Sequence, residues 1–147
     1  MDGTWSEYPM QIVWEGGKRY RGGQPGGATL VVDGDRQAGP SPVEALVIAL
    51  GSCSAIDIVE ILEKRRTPAE RLEVKVEFAR AASPPRRITA ARVTFVVATA
   101  SEPSHVQRAA DLSFEKYCSV SNTLAPDTEL TWEVQVEPVG VGAASAG

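Results

Sequence analysis

One long apolar stretch with a complete helix start in front of it constrains this chain more than anything else. Ser41 is a good N-cap, Pro42 fits the first helical position, and Glu44, three residues after the cap, completes a capping box. Lys64-Arg65-Arg66 then puts positive charge where a helix C-terminus favours it. The spacing predicts a helix from Pro42 to about Arg66. From Ala45 to Leu50 the apolar side chains cover every face, so other structure has to wrap this helix. Val43 to Leu62 approaches membrane-spanning length, but Glu44, Asp57 and Glu60 are each costly at a bilayer centre. The expectation is a buried helix of a soluble protein, with no membrane partner.

Strand-like segments flank this helix on both sides. Met10 to Trp14, Arg19 to Arg21 and Ala28 to Val32 read as strands, separated by turns at Gly16-Gly17 and around Gly22-Gly23 and Gly26-Gly27. Leu72 to Phe78 alternates apolar and charged residues without a fault, which marks a half-exposed strand. A second strand around Ile88 to Ala98 should return antiparallel to it after the Ser83-Pro84-Pro85 loop. Ser101-Glu102-Pro103 signals a helix running to about Leu112. Ser113 can cap a further short helix that carries Cys118 to about Leu124. Leu130 to Val136 is a last alternating strand. Blocks of strands separated by helices, with alternating patterns, predict an α+β fold with antiparallel sheets around a long buried helix. A length of 147 residues with 43% apolar content suits one domain over 1–147, ending in a frayed tail over 139–147.

The net charge of −4 argues against a nucleic-acid partner, which wants clustered positive charge. Met1 to Glu7 has neither a basic nor an apolar leader pattern, so a cytoplasmic location is expected. There, structural disulfides are disfavoured and transient catalytic or sensing disulfides are the usual kind. The chain has two cysteines, Cys53 and Cys118. They are either a redox pair or two unrelated buried thiols. Cys53 lies mid-helix, beyond the reach of its own helix dipole, and Asp57 one turn later disfavours its thiolate. Cys118 follows a cap and has Lys116 nearby, so local electrostatics alone make it the easier thiolate. His105 is the single histidine. With so few ligands no metal site is expected, and no cofactor.

The segment Ser41-Pro42-Val43-Glu44-Ala45-Leu46-Val47-Ile48-Ala49-Leu50-Gly51-Ser52-Cys53 resembles the first cysteine helix of the OsmC/Ohr family. Asp111 to Ser121, around Cys118, is similar to that family's second cysteine motif, and the element order matches over about residues 10–138. The run Gly51-Ser52-Cys53-Ser54-Ala55-Ile56-Asp57 most resembles the YhfA-like branch. The resemblance implies an OsmC-like fold in an intertwined homodimer, whose N-terminal strands complete the partner's site. It implies a thiol peroxidase in which Cys53 attacks an organic hydroperoxide and Cys118 resolves the sulfenic acid as a disulfide. An external dithiol then reduces that disulfide. It further implies an activating glutamate and arginine. Glu44 stands nine residues before Cys53, where peroxidase members usually have ten. Lys18 holds the expected arginine position, with Arg19 and Arg21 beside it. Glu44 and Arg19 are therefore the catalytic candidates beside the cysteines. Tyr20, Arg21 and Asp57 are candidates for contacting substrate, with Trp14 and Phe114 as further pocket linings. A redox sensor or small-ligand binder on the same fold is the alternative.

Overall fold

The computed structural model describes residues 3–140. Its elements, in chain order, are β1 (Gln11–Trp14), β2 (Arg19–Gly23), β3 (Thr29–Asp33), α1 (Pro42–Lys64), β4 (Ala69–Arg80) and β5 (Ile88–Thr99). They are followed by α2 (Pro103–Leu112), a single π-helical turn (Ser113–Tyr117), α3 (Ser119–Thr123) and β6 (Glu129–Glu137). Two compact units divide the chain, residues 1–46 and 47–147. The frayed tail expected from the sequence falls mainly on 141–147, outside the described residues.

The N-terminal unit is an antiparallel meander, β1-β2-β3. Gly16 and Gly17, at φ +104° and +55°, close the first hairpin in a conformation that other residues resist. Trp14 Nε1 donates to the carbonyl of Gly17 at 2.9 Å and fixes that turn from the strand side. At the end of β3 the carboxylate of Asp33 accepts backbone N–H groups from Asp35 (2.8 Å), Gln37 (3.3 Å) and Ala38 (3.0 Å). The side chain thereby organises the loop that leads into α1.

In the second unit, β4, β5 and β6 form one sheet with β5 in the centre. Val93, Phe95 and Val97 point inward from β5 and are fully buried, joined by Ile58 and Leu62 from α1 and Val106 from α2. Gly51 lets α1 approach β4 closely: a Cβ there would stand 3.1 Å from Val76 Cγ2 and 3.2 Å from Val74 Cγ1. The opposite face of the sheet is charged, with Arg92 bound to Glu77 at 3.0 Å. α1 buries Val47, Leu50, Gly51, Ser54, Ile58 and Leu62, while Leu46, Ile48 and Ile56 remain exposed. By length and composition α1 could cross a bilayer.

Three details depart from the sequence reading. β6 runs parallel to β5, so the second sheet is mixed rather than antiparallel. The helical connection from Thr99 to Glu129 is long enough for the crossover that a parallel pair requires. Ser101 does not cap α2; Glu102 occupies that position without a side-chain bond, and Pro103 starts the helix. The expected helix through Cys118 is split. A π turn ends at Tyr117, Cys118 is extended (φ −72°, ψ 107°), and α3 begins at Ser119.

Candidate functional site

Cys53 sits half-buried in the middle of α1, flanked by small residues whose polar groups are turned back onto the helix. Ser52 Oγ donates to the carbonyl of Ile48 at 2.8 Å, and Ser54 Oγ to that of Leu50 at 2.9 Å. Neither hydroxyl is committed to the thiol.

Cys118 is fully buried at the break between the π turn and α3. Its backbone N–H donates to the carbonyl of Ser113 at 2.7 Å. Its sulfur takes the N-cap position of α3 and accepts the N–H of Ser121 at 3.3 Å. Asn122 Nδ2 donates to the Cys118 carbonyl at 2.8 Å and pins the same residue from the other side. Burial pushes the Cys118 thiol up from its ordinary value. Hydrogen bonds from Ser121 act against this, and the neighbouring Cys53 thiol adds a smaller push upward. Burial therefore works against the local reading that made Cys118 the easier thiolate. Desolvation, the largest cause, outweighs the hydrogen bonds of the cap.

Asp57 and Ser113 tie the two cysteine-bearing segments together. Ser113, fully buried, donates its hydroxyl to Asp57 Oδ2 at 2.8 Å and lies 3.4 Å from the Ser54 carbonyl. Asp57 is one turn beyond Cys53 on α1, and the carbonyl of Ser113 receives the Cys118 N–H. Sequence reasoning assigned Ser113 a capping role and missed this bond, which joins residues 56 apart. The one local clue was an aspartate one turn beyond a cysteine on a largely apolar helix.

Most of the remaining candidates lie in the N-terminal unit and have partners there. Lys18 pairs with Asp35 at 3.2 Å. Arg19 stands 4.0 Å from Asp33. Arg21 binds Glu15 at 3.0 Å and Thr29 at 3.2 Å. Tyr20 pairs across strands with Trp14 and with Val32. Glu44 closes the capping box: its Oε1 accepts the Ser41 N–H at 2.9 Å while its own N–H donates to Ser41 Oγ at 3.2 Å. Arg36 adds an ion pair to Glu44 at 3.2 Å. These bonds, those of Ser41 first, hold the Glu44 carboxyl below its ordinary value. Phe114 is core rather than pocket lining, stacked on Trp132 with centroids 4.4 Å apart and edge-on to Phe95 at 6.2 Å. His105 is bonded through Nδ1 to Arg65.

Residues 33–133 match the family model of OsmC-like proteins. Protein YhfA of Escherichia coli (strain K12) is 36% identical over 128 residues, covering 86% of this chain and 96% of the relative. A hypothetical protein from Aquifex aeolicus VF5 superposes with a TM-score of 0.81 at 23% identity, over 91% of this chain and 98% of its own. The organic hydroperoxide resistance protein OsmC from Legionella pneumophila superposes with a TM-score of 0.63 at 15% identity, over 90% of this chain and 100% of its own.

Proposed function

The chain belongs to the OsmC-like protein family, and from that premise we propose that it is a thiol peroxidase acting on organic hydroperoxides through Cys53 and Cys118. The observation that carries this reading is the tie between the two cysteine-bearing segments: Ser113, whose carbonyl receives the Cys118 N–H, donates its hydroxyl to Asp57 one turn beyond Cys53. Its structural neighbour from Legionella pneumophila bears the name of an organic hydroperoxide resistance protein, which points the same way.

In this cycle the Cys53 thiolate attacks the distal peroxide oxygen and the O–O bond breaks. Cys53 is oxidised to a sulfenic acid, and the departing alkoxide takes a proton from solvent to become an alcohol. The Cys118 sulfur then displaces the sulfenic hydroxyl, which leaves as water with the Cys118 proton, and the S–S bond forms. A thiol raised by burial is suited to keep that proton until the sulfenic acid appears. An external dithiol returns both thiols and becomes a disulfide itself. Such a cycle suits a reducing cytoplasm.

The homodimer belongs to the same proposal. Leu46, Ile48 and Ile56 on α1, and Ile12, Val13 and Trp14 on β1, are large apolar side chains exposed in the single chain. A second copy is the partner that would cover them. Arg19 of one protomer would then act at its partner's Cys53. The engagement of Glu44 with Ser41 and Arg36 favours a second reading, a redox sensor that forms the same disulfide with little turnover.

Consumption of cumene hydroperoxide in the presence of dithiothreitol tests both readings. Steady turnover is expected from the native chain and none above background from Cys53→Ser. In a parallel run without dithiothreitol, Cys118→Ser should consume one equivalent and stop as a trappable sulfenic acid. Rapid consumption of one equivalent by the native chain followed by negligible turnover favours the sensor. Undiminished turnover by Cys53→Ser sinks the peroxidase assignment.

A further inference from the structure

A second candidate site lies on the same unit, away from the thiols. It is a cavity of about 230 Å³ between the end of α1 and α2. Its apolar floor is Ile61, Ala109 and Leu112, and its rim is Lys64, Arg65, His105 and Arg108. Ile61 and Lys64 follow Cys53 by eight and eleven residues, roughly 12–16 Å along the helix axis. No carboxylate lines the cavity, although the chain as a whole carries a net charge of −4.

The helix dipole accounts for part of this cluster. Lys64 and Arg65 complement the C-terminal carbonyls of α1. His105 lies in the first turn of α2, where a cation gains nothing from the dipole, and Arg108 lies in the middle of that helix. Their convergence on the α1 basic groups has a different cause.

The bond between Arg65 and His105 is informative. Arg65 Nη2 stands 2.8 Å from His105 Nδ1. A guanidinium has donors and no acceptor, so Nδ1 accepts and the ring proton is on Nε2. Among the described residues Arg65 has no carboxylate partner, and Nε2 makes no hydrogen bond. Arg108 reaches Glu115 only at 3.8 Å on the surface, a pair that is worth little. A guanidinium and an imidazole N–H are thus left available as donors above an apolar floor.

We propose that this cavity binds a small amphipathic anion, a medium-chain monocarboxylate. Its carboxylate would be held by Arg65 and His105, with Lys64 and Arg108 adding charge, and its hydrocarbon would cover Ile61, Ala109 and Leu112. The volume falls below the roughly 300–1,000 Å³ of sites for drug-sized ligands, which suits a short chain better than a nucleotide or a long lipid.

His105 is the single histidine of the sequence, so its ring protons give unambiguous NMR signals. The reduced full chain is titrated with octanoate, and in parallel with inorganic phosphate and with octanol. Saturable shifts of the His105 signals are expected with octanoate, at lower concentrations than with either control. Arg65→Ala should weaken octanoate roughly tenfold or more, the loss of one charge-assisted hydrogen bond. Arg108→Gln, on the exposed rim, should weaken it less and serves as the second variant if Arg65→Ala fails to fold. Cys53→Ser should bind octanoate as the native chain does, so the outcome is independent of the peroxidase reading. Equal effects of phosphate and octanoate mean an ordinary ion cloud, and equal effects of octanol mean a bare apolar groove. Either result overturns the proposal, as does the absence of saturation.

Discussion

The two units of the chain solve the same problem by opposite means. The second unit buries a continuous apolar core between one sheet face and its helices, with Phe95, Ile58 and Leu62 fully enclosed. The N-terminal unit has a three-stranded sheet whose β1 is exposed along its whole length, Ile12 and Trp14 included. Its order comes from ladder hydrogen bonds, glycine turns and the Asp33 carboxylate. Three strands need a covered apolar face for independent stability. The contrast teaches that the second unit carries its own core, whereas the first leaves large apolar side chains of β1 exposed.

The largest expected effect comes from the core. Phe95→Ala removes a ring that packs edge-on to Phe114, which in turn stacks on Trp132. Large-to-small changes of this type cost about 3–5 kcal/mol. Trp14→Ala, on exposed β1, loses only the exposed bond to the Gly17 carbonyl and should cost about 0.5–1.5 kcal/mol. Urea unfolding at low protein concentration reads both. If Trp14→Ala is as costly as Phe95→Ala there, the contrast between the units is wrong.

The fold was legible wherever the signal was local. The capping box of Ser41 and Glu44 forms as the sequence suggests. The alternation of β4 likewise sends Leu72, Val74 and Val76 toward the core. Pairing direction was not legible, because alternation along β6 says which face is apolar but not which way its neighbour runs. The π turn was hidden for a related reason. Ser113-Phe114-Glu115-Lys116-Tyr117 has ordinary helical composition, and such turns are rare enough to have no sequence signature. Cys118 was visible as a residue, whereas its burial and its tie to Cys53 depend on that turn. The partners of Asp57 and Arg65 are 56 and 40 residues away, beyond any pattern that reads neighbours.

An intermediate effect is expected at the link between the cysteine segments. Ser113→Ala leaves Asp57 without its hydroxyl donor, and an unmet polar group in a partly buried position costs about 1–3 kcal/mol. The π turn that presents Cys118 should also be less firmly held. Disulfide formation after one equivalent of peroxide, followed by mass spectrometry on quenched samples, should slow in Ser113→Ala and recover in Ser113→Thr. Loss of stability with an unchanged rate of disulfide formation would show that the link is structural only.

The smallest effect sharpens the contrast from the polar side. The Asp33 carboxyl is held below its ordinary value of 3.8, chiefly by the backbone N–H of Ala38 and then that of Asp35, with Gln37 and the Arg19 charge adding less. A depressed carboxyl contributes its stabilisation fully above the unfolded value. That contribution is lost as pH falls through the lower folded value. The N-terminal unit should therefore loosen on acidification below about pH 4, before the apolar core of the second unit responds. Amide hydrogen exchange at descending pH reads this directly. Protection at Asp35, Gln37 and Ala38 should fall while that of Val93 and Phe95 persists. Asp33→Asn keeps a side-chain oxygen but loses the charge. It should lower protection in the loop at neutral pH and flatten its acid dependence. Loss of protection in both units at one pH would mean that the polar cage does not separate their stabilities.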